Sequence, residues 1–111
     1  MKKMITLSLA FGVAVALSAP AFADGATVFA DTCSGCHGED GKGAEGMVGV
    51  PDFTKSPAIW AKSDDELTQS VITGIEKPGA EVTMPPRAGD DELTDAQIKE
   101  TVVYMRNTFA K

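Results

Sequence analysis

Apolar residues recur with a helical period in three stretches of the chain, separated by irregular sequence rich in glycine and proline. Phe29, Cys33 and Cys36 stand at i, i+4 and i+7. This spacing predicts a short helix from Asp24 to about Thr32 that presents one apolar face. Asp24 favours its start, because a negative charge is stabilised at the N-terminal end of a helix dipole. Leu67, Val71 and Ile75 repeat at i, i+4 and i+8 behind Ser63-Asp64-Asp65-Glu66, where Ser63 and Glu66 form a capping box. The stripe ends near Gly74 and reads as core packing. A second capping box, Thr94 with Gln97, opens a last helix carrying Ile98, Val102, Met105 and Phe109 at spacings of 4, 3 and 4. With Tyr104 beside that stripe, the last helix is expected to pack across the first near Phe29. Between these stretches, Ser56 as N-cap and Pro57 at the first position predict a helical turn through Trp60. Lys77-Pro78-Gly79 predicts a turn. Gly38, Gly41, Gly43, Gly46 and Gly49 are too dense for a regular element.

Residues 1–23 have a different character. Lys2 and Lys3 precede an apolar run from Ile5 to Leu17, and Ala21-Phe22-Ala23 gives a small-x-small cleavage pattern. The run is shorter than the ~20 residues that span a bilayer. The expected product is a secreted, periplasmic chain starting at Asp24. Losing 23 of 111 residues leaves a single domain of 88, 24–111, near the size at which an apolar core alone is marginal. Losing Lys2 and Lys3 takes the net charge from −6 to −8. That balance excludes nucleic acid as a partner, since phosphate binding needs clustered Lys and Arg. It would steer docking to a basic redox partner, or serve as a merely soluble surface.

The chemistry centres on Cys33-Ser34-Gly35-Cys36-His37, a C-x-x-C-H string of the kind that attaches haem c covalently. Two intervening residues place both sulfurs along one edge of a macrocycle for thioether bonds. The adjacent imidazole then reaches the iron as proximal ligand. A zinc site wants four ligands, commonly in two pairs, and these are the only two Cys and the only His in the chain. A thioredoxin-like C-x-x-C wants a βαβ context, and a simple disulfide leaves His37 unexplained. A covalently held haem would also supply apolar mass that so small a core lacks, coupling fold and cofactor.

Three further positions bear on the iron. A ligating imidazole donates its other N–H to a carbonyl or carboxylate; the Pro51 carbonyl is a candidate acceptor, the alternative being an ordinary turn proline with Phe53 in the core. Trp60 is the only tryptophan and is expected against the core or the haem, where a buried indole N–H needs a partner. A haem propionate is one acceptor it could use. Met84 is followed by Pro85 and Pro86, which fix φ and stiffen the backbone that carries the thioether. With no second His, Met84 is the expected sixth ligand. Met47 lies too close behind His37 in the glycine-rich loop, and Met105 reads as core filler. The alternative leaves Met84 on a surface loop and the iron five-coordinate.

Taken together, Cys33-Ser34-Gly35-Cys36-His37 early in the exported chain, the Pro51 loop, Met84-Pro85-Pro86 and the closing amphipathic helix resemble a small bacterial class I cytochrome c. The resemblance covers essentially the whole of 24–111. It implies an all-α fold of three to five helices around one haem. Cys33 and Cys36 would be the thioether residues, His37 the proximal ligand and Met84 the distal one. Gly25 and Phe29 match the family's small and aromatic contact positions on the first helix, and Tyr104 matches on the last. The segment between Pro51 and Met84 matches no family pattern closely. The implied function is one-electron transfer between redox proteins that dock transiently. No small-molecule substrate, no enzymatic activity and a monomer are expected. Two alternatives remain: a dedicated electron-accepting subunit of a dehydrogenase or oxidase, and an open-iron haem enzyme or gas sensor.

Overall fold

A computed structural model of the chain describes residues 24–76 and 83–110. The expected signal segment 1–23 and the expected turn Lys77-Pro78-Gly79 lie outside the described residues. Those residues are mainly helical, with a single isolated bridge, Ile75 to Met84, in place of any strand. No helix among them is long and apolar enough to cross a membrane.

The first helix runs further than its apolar period suggests. It comprises α1 (Gly25–Val28), a π-helical turn (Phe29–Cys33) and α2 (Ser34–His37). Asp24 starts it by more than its charge: its backbone is extended and its carboxylate accepts the Thr27 N–H at 2.8 Å. The helix stops at Gly38, whose φ of 79° is open to glycine and strained for other residues. The whole C-x-x-C-H string is therefore helical. The chain then folds back on it, with the Gly43 N–H donating to the His37 carbonyl (2.7 Å) and the Ala44 N–H to the Cys36 carbonyl (2.9 Å).

A 3₁₀ turn (Phe53–Lys55) follows, capped by Asp52, whose carboxylate accepts from the Thr54 N–H at 2.9 Å and its hydroxyl at 2.6 Å. Pro57 opens α3 (Pro57–Trp60) as expected, but Ser56 does not cap it; its hydroxyl donates back to the Asp52 carbonyl at 2.6 Å. Helix α4 (Asp64–Thr73) carries the expected capping box, with the Glu66 N–H on the Ser63 hydroxyl (3.1 Å) and the Ser63 N–H on the Glu66 carboxylate (3.2 Å). Helix α5 (Asp95–Phe109) repeats the device with Thr94 and Gln97 at 3.1 and 2.9 Å.

Helix α5 crosses the first helix where Gly25 has no side chain to obstruct it. A Cβ there would press on the Glu100 carbonyl and come within 2.9 Å of the Tyr104 Cβ. Phe29 fills the crossing, its ring centroid 5.8 Å from Tyr104 and 5.3 Å from Phe109. Phe29, Cys33, Phe53 and Phe109 form one buried cluster; Val28, Leu93 and Ile98, backed by Val71 and Ile72, form another. Fully buried Phe29, Ile98 and Val102 each contribute about 1.5–3 kcal/mol relative to exposure. Arg106 ties α5 to the corner between α3 and α4, donating to Asp64, the Trp60 carbonyl and the Lys62 carbonyl.

Candidate functional site

A cavity of about 320 Å³ lies inside the helical shell. Its size is at the lower end of the range typical of sites for small organic ligands, and its wall is mostly apolar. The first helix brings Cys33, Cys36 and His37 to this wall, the loop before Pro85 brings Met84, and α5 brings Ile98, Val102 and Met105. All four residues singled out from sequence thus meet at one cavity. Met47 is not part of its lining.

The stripe Leu67, Val71, Ile75 does more than the core packing its spacing suggests, which Val71 supplies against the Val28, Leu93 and Ile98 cluster. All three residues line the cavity, and the residue of α4 that is buried outright is Thr68, whose hydroxyl donates to the Asp64 carbonyl at 2.7 Å. An i, i+4, i+8 pattern marks a face that avoids water; it does not distinguish a protein core from a cavity wall. Met105 serves both, packing against the Phe29 cluster and lining the cavity.

His37 sits at the end of α2 with its ring stacked on Phe53, centroids 4.7 Å apart and planes 22° apart. Its Nδ1 is buried and has no hydrogen-bond partner. Of the two readings of Pro51, the bond to its carbonyl is not made; Phe53 lies in the core and Pro51 lines the cavity. Burial pushes the His37 pKa below its ordinary 6.5, which keeps the imidazole neutral at pH 7 and a lone pair free. Trp60 packs against the core as expected and also lines the cavity; its indole N–H finds its partner in the Phe53 carbonyl at 2.7 Å. Trp60 and Phe53 together back the imidazole, their rings 5.6 Å apart.

The two thiols differ. Cys33 is buried and Cys36 exposed, and both are free. Burial, with a smaller effect from neighbouring Cys36, pushes the Cys33 thiol up to about 11, so it is uncharged at neutral pH. Among the described residues, no three His, Cys, Asp or Glu side chains gather to hold a bare metal ion. The donor set is instead two thiols, one neutral imidazole and one thioether around an apolar space. A buried imidazole nitrogen lacking a protein partner is costly unless a bound group uses the ring. These features fit a haem held by Cys33 and Cys36, with His37 and Met84 as the iron donors.

Met84 is held more firmly than its prolines alone would achieve. It pairs with Ile75 through two antiparallel backbone hydrogen bonds, each 2.9 Å. No strand pattern announces this bridge, because it is one residue long on each side. The one available signal is Gly74, which ends α4 at a φ of 89° beside the Met84 backbone.

Comparison with known proteins adds to this geometry. A family model described as cytochrome c matches residues 22–109. The cbb3-type cytochrome c oxidase subunit CcoP of Cereibacter sphaeroides is 39% identical over 83 residues, covering 75% of this chain and 26% of that protein. The FixP subunit of Rhizobium meliloti is 39% identical over 85 residues, with the same shares. The chain thus spans about a quarter of the length of these subunits. Cytochrome c-555 of Prosthecochloris aestuarii is 33% identical over 94 residues, covering 77% of this chain and 85% of that protein. Among solved structures, the KustC0563 c-type cytochrome superposes with a TM-score of 0.61 at 24% identity, covering 79% of this chain and 99% of that one. At that identity it shows a shared fold.

Proposed function

We infer the function from one premise: this chain belongs to the cytochrome c family and is a class I c-type cytochrome. Family membership makes its cofactor a covalent haem c and its work electron transfer. Cys33 and Cys36 would hold the haem through thioether bonds, and His37 and Met84 would serve as its iron donors. The chain is then a one-electron carrier that is exported, works in the periplasm and docks transiently with other redox proteins. The observation that carries this reading is the convergence of two thiols, a neutral imidazole and a thioether on one apolar cavity.

When bound, the haem supplies a one-electron Fe(III)/Fe(II) couple. The protein's contribution is to hold that couple with little rearrangement. Phe53 and Trp60 fix the His37 ring from behind, and the Ile75 bridge fixes the Met84 backbone. The Met84 thioether, a soft donor, would favour the reduced iron and raise the potential. Leu67, Val71, Ile98 and Val102 line the cavity with apolar side chains, which would exclude water from a bound haem and favour the reduced iron further. The charged, apolar and small-x-small pattern in 1–23 supports export with cleavage after Ala23.

A second reading, a dedicated electron-accepting subunit, is favoured by the CcoP and FixP matches. The coverage of 85% of cytochrome c-555 favours the small carrier. Gel filtration of the protein from its native periplasm separates them: the carrier elutes as a free monomer, the subunit with a larger partner. The axial assignment is tested by Met84→Ala. The variant is expected to bind carbon monoxide when reduced and to have a lower midpoint potential. Unchanged ligand binding and potential would refute Met84 as distal donor.

A further inference from the structure

Resting on the assignment of Met84 above, we propose that Gly74 and Arg87 are positioning residues that hold the Met84 thioether in place from the two ends of its loop. Gly74 acts on the α4 side. A Cβ built on it would meet the Pro86 nitrogen at 2.8 Å, the Met84 carbonyl oxygen at 2.9 Å and the Pro85 carbonyl carbon at 3.1 Å. All three are backbone atoms, so no rotamer change relieves the contact. Its φ of 89° adds a conformational demand that side-chain-bearing residues meet poorly. Met84-Pro85-Pro86 therefore lies directly on the end of α4, and the adjacent Ile75 bridge locks the register of that contact. The absence of a side chain at Gly74 sets how closely the loop approaches the cavity.

Arg87 acts on the far side. Its Nη1 donates to the Leu93 carbonyl at 2.9 Å and its Nη2 pairs with the Asp95 carboxylate at 2.7 Å, at the start of α5. These contacts oppose a strained backbone: Arg87 and Ala88 both hold a left-handed φ of 55° without being glycine. Residues in that region persist where surrounding structure over-determines them. Releasing the guanidinium fork would let 87–88 relax, and the two prolines would transmit the movement to Met84 because their own φ cannot absorb it.

The test uses the haem-loaded protein as wild type and as Gly74→Ala, Arg87→Met, Arg87→Lys, Gly25→Ala and Met84→Ala. Three readouts are compared: the far-red sulfur-to-iron band of the oxidised form, carbon monoxide affinity of the reduced form, and haem content after denaturation. Gly74 holds φ 89° and ψ 163°, a region essentially confined to glycine, where an alanine is disfavoured by an amount equivalent to about tenfold or more in an equilibrium. Gly74→Ala is expected to weaken the far-red band and tighten carbon monoxide binding by about that factor, at full haem content. Arg87→Met should move both readouts in the same direction, and Arg87→Lys should restore part of the loss. Gly25→Ala, which strains the distant α1–α5 crossing, should lower stability and leave both at wild-type values. Wild-type band and affinity in both Gly74→Ala and Arg87→Met would overturn the positioning role, as would an equal loss in Gly25→Ala. If Gly74→Ala does not accumulate, Arg87→Met decides on the same criteria. A wild type without the band, or a Met84→Ala identical to it, would overturn the Met84 assignment itself, an outcome distinct from the others.

Discussion

Replacing Arg106 with alanine is expected to loosen α5 from the α3–α4 corner. Arg106 donates through Nε to the Asp64 carboxylate at 2.7 Å, through Nη1 to the Trp60 carbonyl at 2.8 Å and through Nη2 to the Lys62 carbonyl at 2.5 Å. Its guanidinium carbon also stands 5.7 Å from the centroid of the Trp60 ring. The side chains of Arg106 and Asp64 remain 29% and 34% exposed, so water screens the ion pair and its share is about 0.5–1 kcal/mol. The two carbonyl bonds contribute about 1 kcal/mol each, since water replaces part of what is lost. The contact over the indole adds about 0.5–1 kcal/mol. The loss should therefore be about 3–4 kcal/mol. For a domain of this size it lowers the melting midpoint by about 20 °C.

The assay is thermal unfolding of the haem-loaded protein followed by far-ultraviolet circular dichroism. An internal control is provided by Lys99, which pairs with Asp65 across the same two helices at 2.9 Å, with side chains 53% and 83% exposed. Lys99→Ala should melt with the wild type. A loss below about 1 kcal/mol for Arg106→Ala, or equal losses for the two variants, would refute the reasoning that burial and bond number decide the effect.

Three other outcomes follow from the packing. Gly25→Ala should cost about 1–3 kcal/mol in denaturant unfolding, because the new Cβ meets the backbone of Glu100 and forces the α1–α5 crossing apart. Trp60→Phe should cost about 1–2 kcal/mol by leaving the Phe53 carbonyl without its indole donor, with the α5 crossing intact. The Asp24 and Asp52 carboxyls both lie below their ordinary 3.8, Asp24 chiefly through the Thr27 N–H and Asp52 chiefly through the Thr54 hydroxyl. A depressed folded pKa stabilises fully above the unfolded value and ceases to do so as pH falls through the folded one. The stability gap between wild type and a D24A/D52A double variant should therefore be open at pH 7 and close below 3.8.

What could be read from the sequence was what local rules determine. The capping boxes at Ser63–Glu66 and Thr94–Gln97 need only four residues each, and both form as read. The α1–α5 crossing near Phe29 and Tyr104 was also legible from the stripe on the last helix, and Gly25 as its small contact position through resemblance to a family. Contacts between distant segments were not legible. The Arg106 ties span 42 to 46 residues, and nothing near Arg106 marks the carbonyls it reaches. The Trp60 donor required an acceptor, but its choice of the Phe53 carbonyl depends on how the 3₁₀ turn is placed. The stripe Leu67, Val71, Ile75 marked an apolar face, and Val71 does pack on the core, but period alone carries no information that the same face also lines a cavity. Ser56 matched the capping preference, yet Asp52 drew its hydroxyl away.

The central claim is that Cys33, Cys36, His37 and Met84 together hold one six-coordinate haem for electron transfer. Its most direct test is the optical spectrum of the purified protein, oxidised and reduced, with and without carbon monoxide. A low-spin haem c spectrum, a far-red sulfur-to-iron band in the oxidised form and no shift with carbon monoxide are expected of that arrangement. A high-spin spectrum that shifts with carbon monoxide would contradict it and mean an iron open opposite His37.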